Sequence, residues 1–223
     1  MTDAVDSQGF RAGLRGFGPL GLLAVFLIVA AALVIIPAAA VLILLWVWLS
    51  KTPWRDIGYV RPSSWIGGLV VGILFGVALK VLMKAVVMPL LGADPVNHVY
   101  HYLAGDAQAV GRFAVYAVLG AGFGEETVFR GYLFERFGKL IGHSVGAKLL
   151  IVLLTTGLFA AAHWQQGLPG IEQAAVVGFV VATIFAITGR LWLLMVTHAA
   201  FDLTAAAMIY FDAESKIAHL VFH

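Results

Sequence analysis

The sequence predicts an all-α, polytopic membrane protein: a bundle of about seven helices with no sheet. Three observations predict it. Sixty-one per cent of the 223 residues are hydrophobic and only 12% are charged, about half the ~25% charged content of soluble domains. The mean hydropathy of +0.96 is too high for a water-facing surface. From Leu20 to Leu49 no charged residue occurs, more than the ~20 apolar residues that cross a hydrocarbon core. A soluble enzyme and a nucleic-acid binder are both excluded, because basic residues at membrane ends account for the net charge of +2 and the pI near 9.0. With no cysteine, disulfides, thiolate metal ligands and thiol nucleophiles are excluded as well.

Residues 1–19 read as a polar tail carrying Asp3, Asp6, Arg11 and Arg15. The apolar run after it is too long for a signal-peptide core and predicts an uncleaved first helix, bent at Pro37. A polar loop follows, with Lys51, Arg55 and Arg61, and a second span is expected from Trp65 to Leu91. Gly68, Gly72 and Gly76 recur every four residues there, a stripe that lets another helix approach closely. Lys80 and Lys84 share one face near the far end and are expected to snorkel to the interface. Residues 92–111 form a polar loop. Further helices are expected at 112–123, 125–141, 146–163, 173–188 and 192–211, and 212–223 as a short tail. A single membrane domain, 20–211, thus holds a polar core at 112–211. The basic 50–64 loop should face the cytoplasm, although Arg11 and Arg15 pull the other way if one span separates them.

Ionisable residues within apolar helices cost about 2.5–3.5 kcal/mol each on the insertion scale, so each needs a partner or a function. Three clusters stand out. In Gly120-Ala-Gly-Phe-Gly-Glu125-Glu126-Thr-Val-Phe-Arg130, Glu126 and Arg130 lie one turn apart and can pair. Glu125 is turned about 100° away and is left free to act as a base. Phe159-Ala-Ala-Ala-His163 ends a long apolar run, and His198-Ala-Ala-Phe-Asp202 sits inside another. The four-residue spacing puts His198 and Asp202 on one face, where Asp202 could orient the imidazole. A bundle interior can gather these groups. Glu and His can deprotonate a water while a second His steadies an oxyanion. Alternatively Glu125, His163 and His198 supply a two-His-one-carboxylate zinc set. Either scheme hydrolyses an amide. Gly142-His-Ser144-Val-Gly146 matches a nucleophile elbow in letters only, since its flanks read as helices rather than strand and helix, and a turn is expected there.

These three motifs, Glu125-Glu126-x-x-x-Arg130, Phe159-x-x-x-His163 and His198-x-x-x-Asp202, resemble the ordered motifs of the CAAX-protease and bacteriocin-processing (CPBP, or Abi) family of intramembrane endopeptidases. The resemblance covers Gly120 to Asp202 and implies a site in a cavity within the membrane. It implies Glu125 as the water-activating glutamate with His163 as its partner, Glu126 and Arg130 as a supporting pair, and His198 and Asp202 near the oxyanion. In eukaryotic prenyl-protein members the last position looks like Asn, which donates a hydrogen bond, whereas Asp donates only when protonated. The resemblance leaves zinc or no cofactor open, the metal-free scheme being slightly preferred, and implies a membrane-associated protein or peptide as substrate, with no nucleic acid. The layout is expected of a bacterial inner-membrane protein. The rival readings are a non-catalytic peptide-binding protein of immunity or chaperone type and an ion-coupled transporter. No inverted repeat supports the transporter.

Overall fold

A computed structural model describes the backbone of residues 2–222 and the side chains from residue 8 to residue 222. Nine helices and no strand occur among the described residues. They are α1 (Thr2–Arg15), α2 (Pro19–Val34), α3 (Ile36–Ser50), α4 (Trp65–Leu90), α5 (107–141), α6 (Val145–Ala162), α7 (Gly167–Thr188), α8 (Leu191–Tyr210) and α9 (Glu214–Ala218). Four of them, α4, α6, α7 and α8, are long and apolar enough to cross a membrane, α7 counted with the turn before it. Their lipid-facing sides carry bare Leu, Val and Ile, so the chain is an integral, multi-pass membrane protein.

The uncharged stretch after residue 19 departs from the single bent helix expected of it. Ile35 is extended, with φ −144° and ψ 96°, and separates α2 from α3. The chain then doubles back: the Trp46 Nε1–H near the end of α3 donates to the Leu14 carbonyl just ahead of α2, at 3.0 Å. Each arm is 15 or 16 residues long, hence about 22–24 Å, and falls short of a ~30 Å core. Pro37 initiates α3, where its missing N–H costs nothing, rather than bending it. The tail before it is helical too, because Leu14 is buried and the Arg15 carbonyl accepts from Arg136 Nη1 at 3.1 Å.

This hairpin gathers charge at one end of the bundle. The Arg15 carbonyl also accepts from Lys139 at 3.4 Å, and the Leu191 N–H donates to Gly58 at 2.9 Å. Arg11, Arg15, Lys51, Arg55, Arg61, Arg136, Lys139, Lys148 and Arg190, most of the 14 basic residues, therefore lie toward that end. The conflict between the tail and the 50–64 loop disappears, since both flank the same membrane face. The basic end should face the cytoplasm. In this cysteine-free chain, Ser63→Cys should react with an impermeant maleimide only in inside-out vesicles. Val99→Cys, in the opposite loop, should react in intact cells, and the reverse pattern would invert the orientation.

Helix starts follow the sequence. Ser64 caps α4 by accepting from the Gly67 N–H at 3.0 Å, and Asp106 caps α5 by accepting from Gln108 and Ala109 at 2.9 Å. Ser144 caps α6 by accepting from the Ala147 N–H at 3.2 Å, and Gly142 takes φ +97°, so the elbow-like motif is a turn between helices. The glycines of 120–124 do not interrupt α5 as expected. They let neighbours approach: a Cβ on Gly122 would fall 2.8 Å from the Met195 carbonyl oxygen. Gly76 does the same for α4 on α8, where a Cβ would lie 2.3 Å from the Thr197 carbonyl oxygen.

Candidate active site

α5 carries the acidic pair and is π-helical over Ala117–Glu125 and again over Thr127–Tyr132. Such widened turns are frequent at functional sites. Here both adjacent glutamates are buried: Glu125 is 8% exposed and Glu126 0%. Glu126 Oε1 accepts from Arg130 Nη1 at 3.0 Å, the pairing expected from the spacing. Arg130 Nη2 donates to the Gly178 carbonyl at 3.4 Å, and its guanidinium lies 4.3 Å from the centroid of the Phe159 ring. α5, α6 and α7 are thereby joined at one cation.

The same Glu126 Oε1 accepts from His198 Nδ1 at 2.7 Å. Glu126, not Asp202, therefore orients this imidazole, contrary to the expectation drawn from the spacing on α8. Asp202 and His198 do share a cavity-facing side of α8, and both line the cavity, but no protein hydrogen bond joins them. Anchored through Nδ1, His198 turns Nε2 toward Glu125, whose Oε2 lies 3.9 Å away. That is beyond a direct hydrogen bond. Glu125 Oε1 accepts from the Tyr116 hydroxyl at 3.2 Å, while Oε2 is buried and has no partner. An unsatisfied buried carboxylate oxygen is costly and calls for an explanation.

His163 follows the last turn of α6. Its Nδ1 lies 2.8 Å from the Phe159 carbonyl oxygen, which can only accept, so Nδ1 carries a proton and, in the neutral ring, the Nε2 lone pair is left for the cavity. Phe159 packs against both imidazoles, with centroids 4.6 Å from His163 and 5.9 Å from His198. Glu125, His163, His198 and Asp202 line one cavity, while Glu126 and Arg130 support it from behind. Among the described residues no three His, Asp or Glu side chains converge as a metal-holding group.

The cavity opens toward the end opposite the basic one, beneath the 92–106 loop. Tyr100 of that loop accepts from Gln166 Nε2 at 2.9 Å and packs edge-on against Phe113 at 5.6 Å. Burial pushes its hydroxyl up to about 12, so it stays protonated at neutral pH. Asp94, in the same loop, is held below the usual carboxylate value by the Val96 N–H and by His98. Glu214 of α9 pins the loop from the side, accepting from Lys84 at 2.8 Å and from the Asn97 N–H at 3.3 Å.

Sequence reasoning placed two residues wrongly and missed one. Lys80 and Lys84 are buried rather than snorkelled. Lys84 pairs with Glu214, and Lys80 lines the cavity. Their shared face was the available signal, but the acidic partner lies 130 positions away in the chain. Tyr116, nine residues before Glu125, carried no signal, because its contact depends on how the π-helical turn winds.

A polytopic helical protein with a buried glutamate and two oriented imidazoles around an intramembrane cavity has the equipment of a hydrolase. Residues 108–204 match the family described as type II CAAX prenyl endopeptidase Rce1-like. Over that stretch the chain is similar to a family of CAAX-type intramembrane proteases. The match takes in all three motifs and leaves α1–α4 outside it. No curated protein and no solved structure matches the chain.

Proposed function

We propose that this protein is an intramembrane endopeptidase that hydrolyses a peptide bond of a membrane-associated protein or peptide, using water activated by Glu125. The observation that carries this is the unpartnered, buried Oε2 of Glu125, 3.9 Å from His198 Nε2. A water seated beside both atoms lies within hydrogen-bond reach of each.

Glu125 takes a proton from that water as its oxygen attacks the scissile carbonyl carbon. His163, fixed by its Nδ1–H on Phe159, accepts a hydrogen bond from the water through Nε2. When protonated, His198 keeps its Nδ1–H on Glu126 and donates its Nε2–H to the oxyanion of the tetrahedral intermediate. The proton on Glu125 passes to the amide nitrogen as the C–N bond breaks, releasing an acid and an amine. Asp202 can donate to an oxyanion only when protonated, so that role goes to His198, and Asp202 lines the cavity beside it. No step is routed through a metal.

The test is cleavage of a quenched fluorescent peptide library by the purified protein in lipid, with and without a strong zinc chelator. Cleavage that is indifferent to chelator supports glutamate-activated water. Cleavage lost to chelator and restored by zinc would overturn the metal-free scheme and keep the protease. Peptides that bind without being cut would favour the peptide-binding reading.

A further inference from the structure

Lys80 is a buried cation that the proposed chemistry does not use. It sits on α4, outside the segment that matches the protease family. It is 6% exposed, and its Nζ donates to Gln173 Oε1 at 2.9 Å and lies 4.8 Å from the Phe201 ring centroid. An ammonium has three donors, and among the described residues no acidic side chain lies within ion-pair distance of this one, Asp202 facing it only across the shared cavity, whereas Lys84 one turn on is neutralised by Glu214. A buried charge of this kind is costly unless something answers it. Lys80 lines the cavity together with Glu125, His163, His198 and Asp202. It lies close to the catalytic groups, because Gly76 packs on Thr197 and Phe201 and sets α4 in register with α8.

We propose that Lys80 is a substrate-binding residue that receives a carboxylate of the bound peptide. This deepens the protease reading and rests on it. Gln173 holds one donor and so aims the other two, while Phe201 shields the charge from lipid without satisfying it. The carboxylate can come from a chain terminus or from an acidic side chain, and Lys80 would recognise both by the same chemistry. Around it, the Tyr100 hydroxyl and the side chains of Asn97 and Gln166 add neutral polar groups to the same cavity. Those suit a peptide backbone. Arginine would suit a bidentate phosphate or carboxylate better, whereas a single flexible ammonium suits one carboxylate at variable reach.

The experiment measures binding rather than cleavage, in the base-less Glu125→Gln protein reconstituted in nanodiscs. Dye-labelled hexapeptides are offered in matched forms: C-terminal acid against C-terminal amide, and internal Asp against Asn. Fluorescence anisotropy should show one acidic form binding about 10- to 100-fold more tightly than its neutral match, as expected for a hydrogen bond to a charged group. The form that shows the preference identifies the source of the carboxylate. Adding Lys80→Met should collapse the ratio to within about threefold, and Lys80→Arg should retain part of it. If Lys80→Met does not yield a monodisperse protein, Lys80→Gln replaces it. Equal binding of acidic and neutral peptides, or a preference that survives loss of the ammonium, overturns the assignment. Such a failure leaves the Glu125 reading standing, since cleavage by the unmodified protein is measured separately.

Discussion

Glu125→Gln should abolish peptide cleavage while leaving the fold in place. Glutamine keeps the shape of the side chain, and its amide oxygen can still accept from the Tyr116 hydroxyl, now at 3.2 Å from Glu125 Oε1. What it loses is the basic lone pair at Oε2, the atom that faces His198 Nε2. Removing a positioned general base costs about 10²- to 10⁴-fold in rate, so turnover should fall by at least two orders of magnitude. The melting temperature in lipid should stay close to that of the unmodified protein, because the buried oxygen it alters has no partner to lose. The matched comparison is Glu126→Gln. Glu126 has two charged or polarised partners, Arg130 and His198, so this variant should lose stability as well as activity. Turnover within tenfold of the starting value in Glu125→Gln would move the base elsewhere and sink the proposed mechanism.

Arg130→Met should be the most destabilising single substitution at the site. Arg130 is 1% exposed and Glu126 0%. Removing one partner leaves the other charged in a low-dielectric interior, which costs about 3–5 kcal/mol. The expected readout is a large drop in thermal midpoint, or loss of monodisperse protein on extraction. Adding Glu126→Gln to Arg130→Met should recover part of the loss, since the stranded charge disappears and the two sites are coupled. Arg130→Lys should be intermediate: it keeps the charge but gives up the second arm to the Gly178 carbonyl and the planar stacking on Phe159. An Arg130→Met protein as stable as the original would mean that Glu126 is held neutral or is balanced by His198 alone, and the role assigned to Arg130 would fall.

Local chemistry that repeats along one helix was readable in advance. The Glu126–Arg130 pair depends on a spacing of four, which survives even in π-helical backbone. The apolar runs at α4, α6, α7 and α8 announce spans because lipid tolerates little else. The Gly142–Gly146 segment announces a turn once the elbow reading fails for want of a strand. The glycine stripe at 72 and 76 announces a close helix crossing, although not which helix would come. By contrast, the choice between Asp202 and Glu126 as the anchor of His198 was not readable. Both carboxylates are within reach in principle, and α8 alone favours Asp202, one turn away. The packing of α5 against α8 reversed the choice, with Gly122 allowing the two backbones to close.

The sequence by itself thus determined that this is a helical membrane protein and that Glu126 can pair with Arg130 within one helix. Those properties follow from transfer free energy and from the 3.6-residue period, both local. Only the tertiary structure decided that residues 19–50 form two helices in a hairpin rather than one bent helix, that Lys80 and Lys84 face inward, and that Glu126 holds His198 while one oxygen of Glu125 is left free. Each of these depends on contacts between segments far apart in the chain. An apolar run of given composition is equally content as one long helix or two short ones, and the neighbours that fill the space beside it select between them.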